Sequence, residues 1–256
     1  MKTNASLRIF KLSTLILAMA VVSILPCLAS TTFTDGTFNL ANYTQTDFTS
    51  NTAAAGATFS VTQSTTSGNP QPSLDFHVDW TVNTTFTVFV GLINSGFTYN
   101  PASGAISTID VSLDKNITFT DSILNVPNAT ASALLEQNGN FYLDTVTGPA
   151  LVQGTWQTVS ATGLTASDFS LYDLTTNTLD NTMHPDFSAA GGVIDFGLRV
   201  GLGHVNTLGT GSFESLSDNL SFTITPVPEP RSTFSLLFGS LVTLLGATRL
   251  RFLRQA

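Results

Sequence analysis

The chain has 256 residues, one cysteine, and 17 acidic against 9 basic side chains, a formal charge of −8. Seven of the bases (Lys2, Arg8, Lys11, Arg231, Arg249, Arg251 and Arg254) lie near the two ends, so the stretch 30–227 sets Lys115 and Arg199 against 16 acids, a formal −14. Such a surface repels phosphate backbones and excludes nucleic acid as a partner, while a lone cysteine at position 27 excludes a disulfide framework.

The first 29 residues read as a secretory signal peptide. Lys2, Arg8 and Lys11 give a positive start, Leu12 to Leu25 an apolar run, and Cys27-Leu28-Ala29 small residues around a cut. Cys27 then leaves with the leader. An exported body of residues 30–225 must be held together by its core, and about 200 residues suffice for one domain with a large one.

Along this body the apolar residues alternate with period two. In "LDFHVDWTV", Leu74, Phe76, Val78, Trp80 and Val82 fall on one side and Asp75, His77, Asp79 and Thr81 on the other, the pattern of a half-buried antiparallel strand. "TFTVFVGL" continues with Phe86, Val88 and Val90, and Val82 to Thr85 is expected to turn the chain between the two as a hairpin. Further strands are expected at 58–63, 106–113, 117–120, 132–136, 140–144, 155–161, 193–200 and 220–225. Turn residues separate them at Ser67-Gly68-Asn69-Pro70, Asn100-Pro101, Asp114-Lys115-Asn116, Asn138-Gly139-Asn140 and Gly191-Gly192. Residues 175–190, polar and containing Pro185, read as a long loop. No segment has a sustained 3.6-residue apolar period with caps, so the fold class is all-β, an antiparallel β-sandwich of two packed sheets.

Residues 226–256 form a separate signal. Between Arg231 and Arg249 lie 17 uncharged residues. As a transmembrane helix over about 232–248 they would be about 26 Å long, near the minimum for a bilayer. Arg249, Arg251 and Arg254 follow and would stay on the cytoplasmic side, leaving the body on the other. Val227-Pro228-Glu229-Pro230, the short span and the terminal arginine cluster together resemble the PEP-CTERM sorting signal of Gram-negative bacteria. The resemblance implies export by the secretion machinery, recognition by an exosortase, transient anchoring by the helix, and delivery to the cell surface or the exopolysaccharide matrix.

The body also resembles jelly-roll sandwiches of the lectin and carbohydrate-binding type, through "FTDGTFNLANY" near its start, "AISTIDVSLD" in its middle and "SDNLSFTIT" at its end. In such folds the first and last strands pair and calcium binds where they meet. That resemblance implies Asp35, Asp218 and Asn219 as calcium ligands, with the ordinary turn roles of Asp35-Gly36 and Asp218-Asn219 as the other reading. Sugars stack on aromatic faces, which makes Trp156, Tyr99 and Tyr142 the candidate contacts, along with Tyr43 and Tyr172. Trp80 belongs to the inward set.

Catalytic motifs are absent from the sequence. Asp75, His77 and Asp79 share a strand face, but four residues of strand hold the two aspartates about 13 Å apart, beyond glycosidase spacing, so the row reads as a solvated face. His77, His184 and His204 are dispersed. The expected function is therefore a non-catalytic surface or matrix protein that binds polysaccharide or serves a structural role. A polysaccharide-acting enzyme or an adhesin-like module are the alternatives.

Overall fold

The computed structural model describes residues 29–70, 72–120, 128–130, 133–144, 147–205 and 209–228. Residues 1–28 of the expected signal peptide, Glu229, Pro230, the apolar run 232–248 and the arginine cluster lie outside these residues. Among the described residues no helix is long and apolar enough to cross a membrane.

Period-two alternation is realised as strand after strand. In chain order these are β1 (Thr31–Asp35), β2 (Tyr43–Ser50), β3 (Thr58–Ser64), β4 (Ser73–Trp80), β5 (Phe86–Tyr99) and β6 (Ile106–Phe119). They continue with β7 (Asn128–Thr130), β8 (Ala133–Gln137), β9 (Asn140–Asp144), β10 (Thr147–Ala150) and β11 (Gln157–Leu164). The last four are β12 (Phe169–Asp173), β13 (Thr178–Asp180), β14 (Ile194–Val205) and β15 (Gly211–Pro226). The α-helix among the described residues is one turn, α1 (Thr52–Ala55), closed by Gly56 in the left-handed conformation.

The strands form two antiparallel sheets, an all-β sandwich as the alternation requires. Sheet A runs β11-β6-β15-β4-β3, with β1 also on β15, and sheet B runs β13-β12-β9-β8-β14-β5-β2; β7 and β10 make a separate pair. β15 organises sheet A. One of its edges runs along β6, while the other is shared, residues 211–217 pairing with β4 and residues 220–224 with β1. The first and last strands thus meet, as the jelly-roll resemblance implied. The hand-over falls at Asp218-Asn219, where the register with β6 shifts and Asn219 takes a left-handed φ of 51°.

One core fills the space between the sheets. Leu74, Phe76, Val78 and Trp80 of β4 are each 0% exposed, as are Phe222 of β15 and Phe196 of β14. Rings interlock across the gap, Phe196 with Phe222 at 5.3 Å and Trp80 with Phe86 at 5.7 Å between centroids. A buried aromatic contributes through its large apolar area, at about 25 cal/mol per Å² removed from water. A second cluster, Ile93, Leu134, Leu143, Tyr172 and Leu174, lies apart from this core. It belongs to the outer face of sheet B, since Val90, Leu92 and Leu135, of opposite parity on the same strands, face the main core.

Three expectations need correction. Residues 175–190 are not loop throughout, since Thr178–Asp180 form β13 and pair with β12. Val82 to Thr85 does not close a hairpin: β4 pairs with β3 and β15 while β5 pairs with β2 and β14, so the turn carries the chain from one sheet to the other. Asp114-Lys115-Asn116 is not a turn either. β6 continues unbroken through it, and Lys115 keeps the inward parity of Val111, Leu113 and Ile117, where it is only 9% exposed. Hydrogen bonding to β15 and β11 on both sides overrides the turn propensity of a short polar run. Asn138-Gly139, by contrast, closes the β8–β9 hairpin with both residues at positive φ.

Candidate functional site

The carboxylates expected to hold calcium do converge. Asp35 ends β1, Asp218 stands opposite Asp114 in the β15–β6 register, and Asn219 occupies the left-handed step between the two pairings. Their oxygens, however, are met by hydrogen-bond donors of the chain. Asp35 Oδ1 accepts from the Thr37 amide (2.7 Å), the Phe38 amide (2.9 Å) and the Thr37 hydroxyl (2.9 Å), and Oδ2 accepts from the Tyr43 hydroxyl (2.8 Å). Burial opposes its charge, but these four bonds outweigh it and hold the carboxyl below the usual carboxylate range. Asp218 accepts from the amides of Asn69 and Asn219, and Asp114 Oδ2 accepts from Asn219 Nδ2 at 2.9 Å. Burial pushes the Asp218 carboxyl up; the two amides work against that shift, and nearby Asp114 and Asp35 add to it. A cation here would have to displace the Asn219 amide. The residues as they stand make a self-satisfied corner rather than an open set of six to eight ligands, and no function is routed through calcium.

The expected stacking residues separate. Tyr142 is buried in the main core at 6% exposure and offers no face to a sugar, because its strand parity points inward. Tyr99 packs against the same core, and its hydroxyl donates to the Gly104 carbonyl at 2.8 Å, which makes it a corner brace. Trp156 is half-buried, one residue before β11. Trp80 lies in the core as expected. Of the sorting motif, Val227 is exposed, and its amide donates to the Ala105 carbonyl at 2.6 Å as the chain leaves sheet A.

A different surface gathers binding chemistry, the outer face of sheet B near its β2 edge. The register aligns Phe48 of β2, Phe89 of β5 and Gly201 of β14 in one row, and Thr46, Gly91 and Arg199 in the next. Phe48, Phe89, Thr46 and Arg199 are all half-buried. The Arg199 guanidinium lies over the Phe89 ring, 4.4 Å from its centroid, and 5.2 Å from that of Tyr172. A cation so placed is held by the ring quadrupole without consuming its N–H donors. Among the described residues no carboxylate forms an ion pair with it. Gly201 makes room for the arrangement: a Cβ there would come within 2.3 Å of Phe89 Cδ1 and 2.4 Å of the Val88 carbonyl oxygen. Beyond Arg199, the outer-face cluster of Leu134, Leu143, Tyr172 and Leu174 backs the platform. Asp195 and Glu136, neighbours in the β14–β8 register, stand further along the same face, with Asp195 accepting from the Thr98 hydroxyl at 2.6 Å. Sequence reading passed over Phe89 and Arg199. The available signal was a phenylalanine and an arginine on the outward parity of two otherwise inward-reading strands.

The chain matches no protein family, and no curated protein matches it. Among solved structures it is similar to the family 11 carbohydrate-binding module of the cellulosomal cellulase Lic26A-Cel5E of Clostridium thermocellum, with 13% identity and a TM-score of 0.35 over 80% of this chain and 99% of that one. A family 11 module from the same organism in complex with a β-1,3-1,4-mixed-linked tetrasaccharide gives 13% identity and a TM-score of 0.34, over 75% of this chain and 94% of that one. The solution structure of CtCBM11 gives 11% and 0.38, over 80% of this chain and 100% of that one. At these scores residue correspondences are not defined, and no binding residue is carried over.

Proposed function

We propose that this is an exported, non-catalytic glycan-binding protein that presents the Phe48–Phe89–Arg199 face of sheet B to polysaccharide at the cell surface or in the extracellular matrix, after processing of its PEP-CTERM tail by an exosortase. The observation that carries the binding reading is Arg199. It is the sole arginine between residues 30 and 227, and it lies over an aromatic ring on a half-exposed sheet face with no acid paired to it among the described residues. Aromatic faces stack on the apolar faces of pyranose rings, and a guanidinium offers five donors to hydroxyl and ring oxygens. Strand-borne side chains hold such a site in place without a loop having to order on binding. The sequence motifs at the two ends support export and sorting.

The test is affinity electrophoresis of the full chain through gels containing purified exopolysaccharide, alongside the variants Arg199→Ala and Phe89→Ala. Retardation of the wild-type chain is expected, with about tenfold or greater weakening in each variant, the loss of one or two contacts at about 1.4 kcal/mol per factor of ten. No reducing ends should appear in the same incubations. Unchanged retardation in both variants, with loss in Trp156→Ala, would move the site to the neighbourhood of Trp156. Release of reducing ends that is abolished by changing a single carboxylate would replace binding by catalysis. For the sorting reading, the intact mass of the protein recovered from its native envelope should correspond to a C-terminus near Pro228 to Arg231; an intact tail through Ala256 would make it a permanent anchor.

A further inference from the structure

The outer face of sheet A, on the far side of the sandwich from Arg199, carries a different chemistry. On β4, Asp75 and His77 are two residues apart and therefore on one side. In the β15–β4 register Glu214 is the direct partner of His77 and Leu216 that of Asp75, so Glu214 is diagonal to Asp75. One ligand atom from each of Asp75, His77 and Glu214 lies within 4.8 Å of the other two, the one such His/Cys/Asp/Glu group among the described residues. We propose that Asp75, His77 and Glu214 form a binding site for a divalent transition ion of the zinc type, clipping β4 to β15 on the outer face of sheet A.

Three features take this beyond a chance meeting of acids. The ligand set is mixed, two carboxylates and an imidazole, which suits zinc and its neighbours rather than calcium. Each of two ligands is already held from behind. His77 Nε2 is 3.1 Å from Asp79 Oδ1, an approach that would leave Nδ1 to coordinate; Glu214 Oε2 accepts from the Thr118 hydroxyl at 3.0 Å. A carboxylate behind a histidine and a hydrogen bond on a ligating carboxylate are how outer-shell groups orient metal ligands. The third feature is an acceptor without a donor. Asp75 Oδ1 is sealed from solvent with no hydrogen-bond partner, and so is Asn116 Oδ1, which opposes Leu216 one strand further along the same row. The unpartnered oxygen of Asp75, with the Glu214 carboxylate diagonal to it, leaves negative potential that a bound cation satisfies.

Tetrahedral zinc holds its ligand atoms roughly 3.3 Å apart, given bonds of about 2.0 Å. The ligand atoms, within 4.8 Å of one another, would have to draw together to that spacing on binding. Three protein ligands leave the fourth position to water or to an oxygen of a bound molecule. The site rests on sheet A alone and is independent of the glycan face.

The experiment is titration of the metal-stripped full chain, prepared without a histidine tag, with Zn²⁺ by calorimetry and with Co²⁺ by visible absorption. One equivalent should bind, with Co²⁺ giving the d–d bands of a low-symmetry nitrogen/oxygen site. His77→Gln, Asp75→Asn and Glu214→Gln should each weaken binding at least tenfold; His184→Gln and Asp114→Asn should leave it unchanged. Circular dichroism of each variant guards against loss of fold, and since all three replacements are polar for polar on an outer face, retention of the fold by any one suffices. No binding above millimolar zinc would overturn the site. So would equal affinity for Ca²⁺ that His77→Gln does not alter, which would show an acidic surface only.

Discussion

Lys115 offers the sharpest test of the packing. It sits on the inner face of β6, opposite Ser217 of β15 and Gln157 of β11, only 9% exposed, with no described residue accepting a hydrogen bond from its amine. Burial, and to a lesser degree the charge of Arg199, pulls its pKa from 10.5 down to about 8. At about 1.4 kcal/mol per pH unit, keeping Lys115 protonated inside the fold costs about 3 kcal/mol. Lys115→Met replaces the amine with a chain of similar length and no charge, so the variant should be more stable than the parent by about 3 kcal/mol at pH 7. The sign of the pH dependence follows from the depressed value. Between about pH 8 and 10.5 the folded chain has released a proton that the unfolded chain still holds, so the parent gains stability as pH rises through that window. The variant lacks this gain, and its advantage should shrink towards zero near pH 10. Urea unfolding at pH 7 and pH 9.5 reads both effects, the pH 7 midpoint moving up by roughly 1 M or more for a slope of about 2–3 kcal/mol per M. A variant less stable than the parent at pH 7, or a constant difference at both pH values, would refute the inward, unpartnered placement of the amine.

Asp35→Ala should cost about 2–4 kcal/mol by urea unfolding at pH 7, because the Thr37 and Phe38 amides and the Tyr43 hydroxyl lose their acceptor together. Since the Asp35 carboxyl is held below its unfolded value, its contribution is present above about pH 4 and disappears as pH falls through the lowered value; the gap between parent and Asp35→Asn should narrow over that acid range, and a gap constant to pH 2 would contradict it. Gly201→Val should abolish glycan retardation, since a side chain there meets Phe89 and the Val88 carbonyl; thermal unfolding in the same samples separates loss of the platform from loss of the fold.

The buried half of this fold was legible and the exposed half was not. Alternation in β4 placed Trp80, Val78, Phe76 and Leu74 inward, and all four are. It is a packing signal, and packing is what apolar period two reports. β2 has no such signal, because an edge strand with only Tyr43 and Phe48 to bury reads as polar; Phe48, part of the platform, was invisible with it. The segment 211–219 of β15 was equally hidden, being Ser- and acid-rich, so Glu214 was not seen as the neighbour of Asp75 and His77. Along the chain Asp75 has only Asp79 of its own strand as a nearby carboxylate, whereas the register supplies Glu214 from another. Lys115 failed for the opposite reason. Its parity was correct throughout, and the polar neighbours Asp114 and Asn116 hid it, although they are simply the outward residues of the same strand.

That parity also explains how one sandwich carries two unlike surfaces. Inward positions are constrained by interlocking rings, whereas each outward position is free to take whatever chemistry the strand tolerates, and pairing register then decides which of those residues meet. On sheet A the outward row of β4 and the adjacent stretch of β15 collect Asp75, His77, Asp79 and Glu214, with no lysine or arginine on either strand. On sheet B the outward residues of β5 and β14 collect Phe89 and Arg199. With a formal −14 over residues 30–227, the field around the domain repels polyanions at long range and is screened within about 10 Å at 0.1 M salt. Arg199 therefore stands as a local cation in a negative field. A glycan site there, as proposed, would favour a neutral polymer, whose hydroxyls would take the guanidinium donors without crossing that barrier. An acidic polymer would bind more tightly as salt is raised and the barrier is screened, until screening of the Arg199 contact itself reverses the trend.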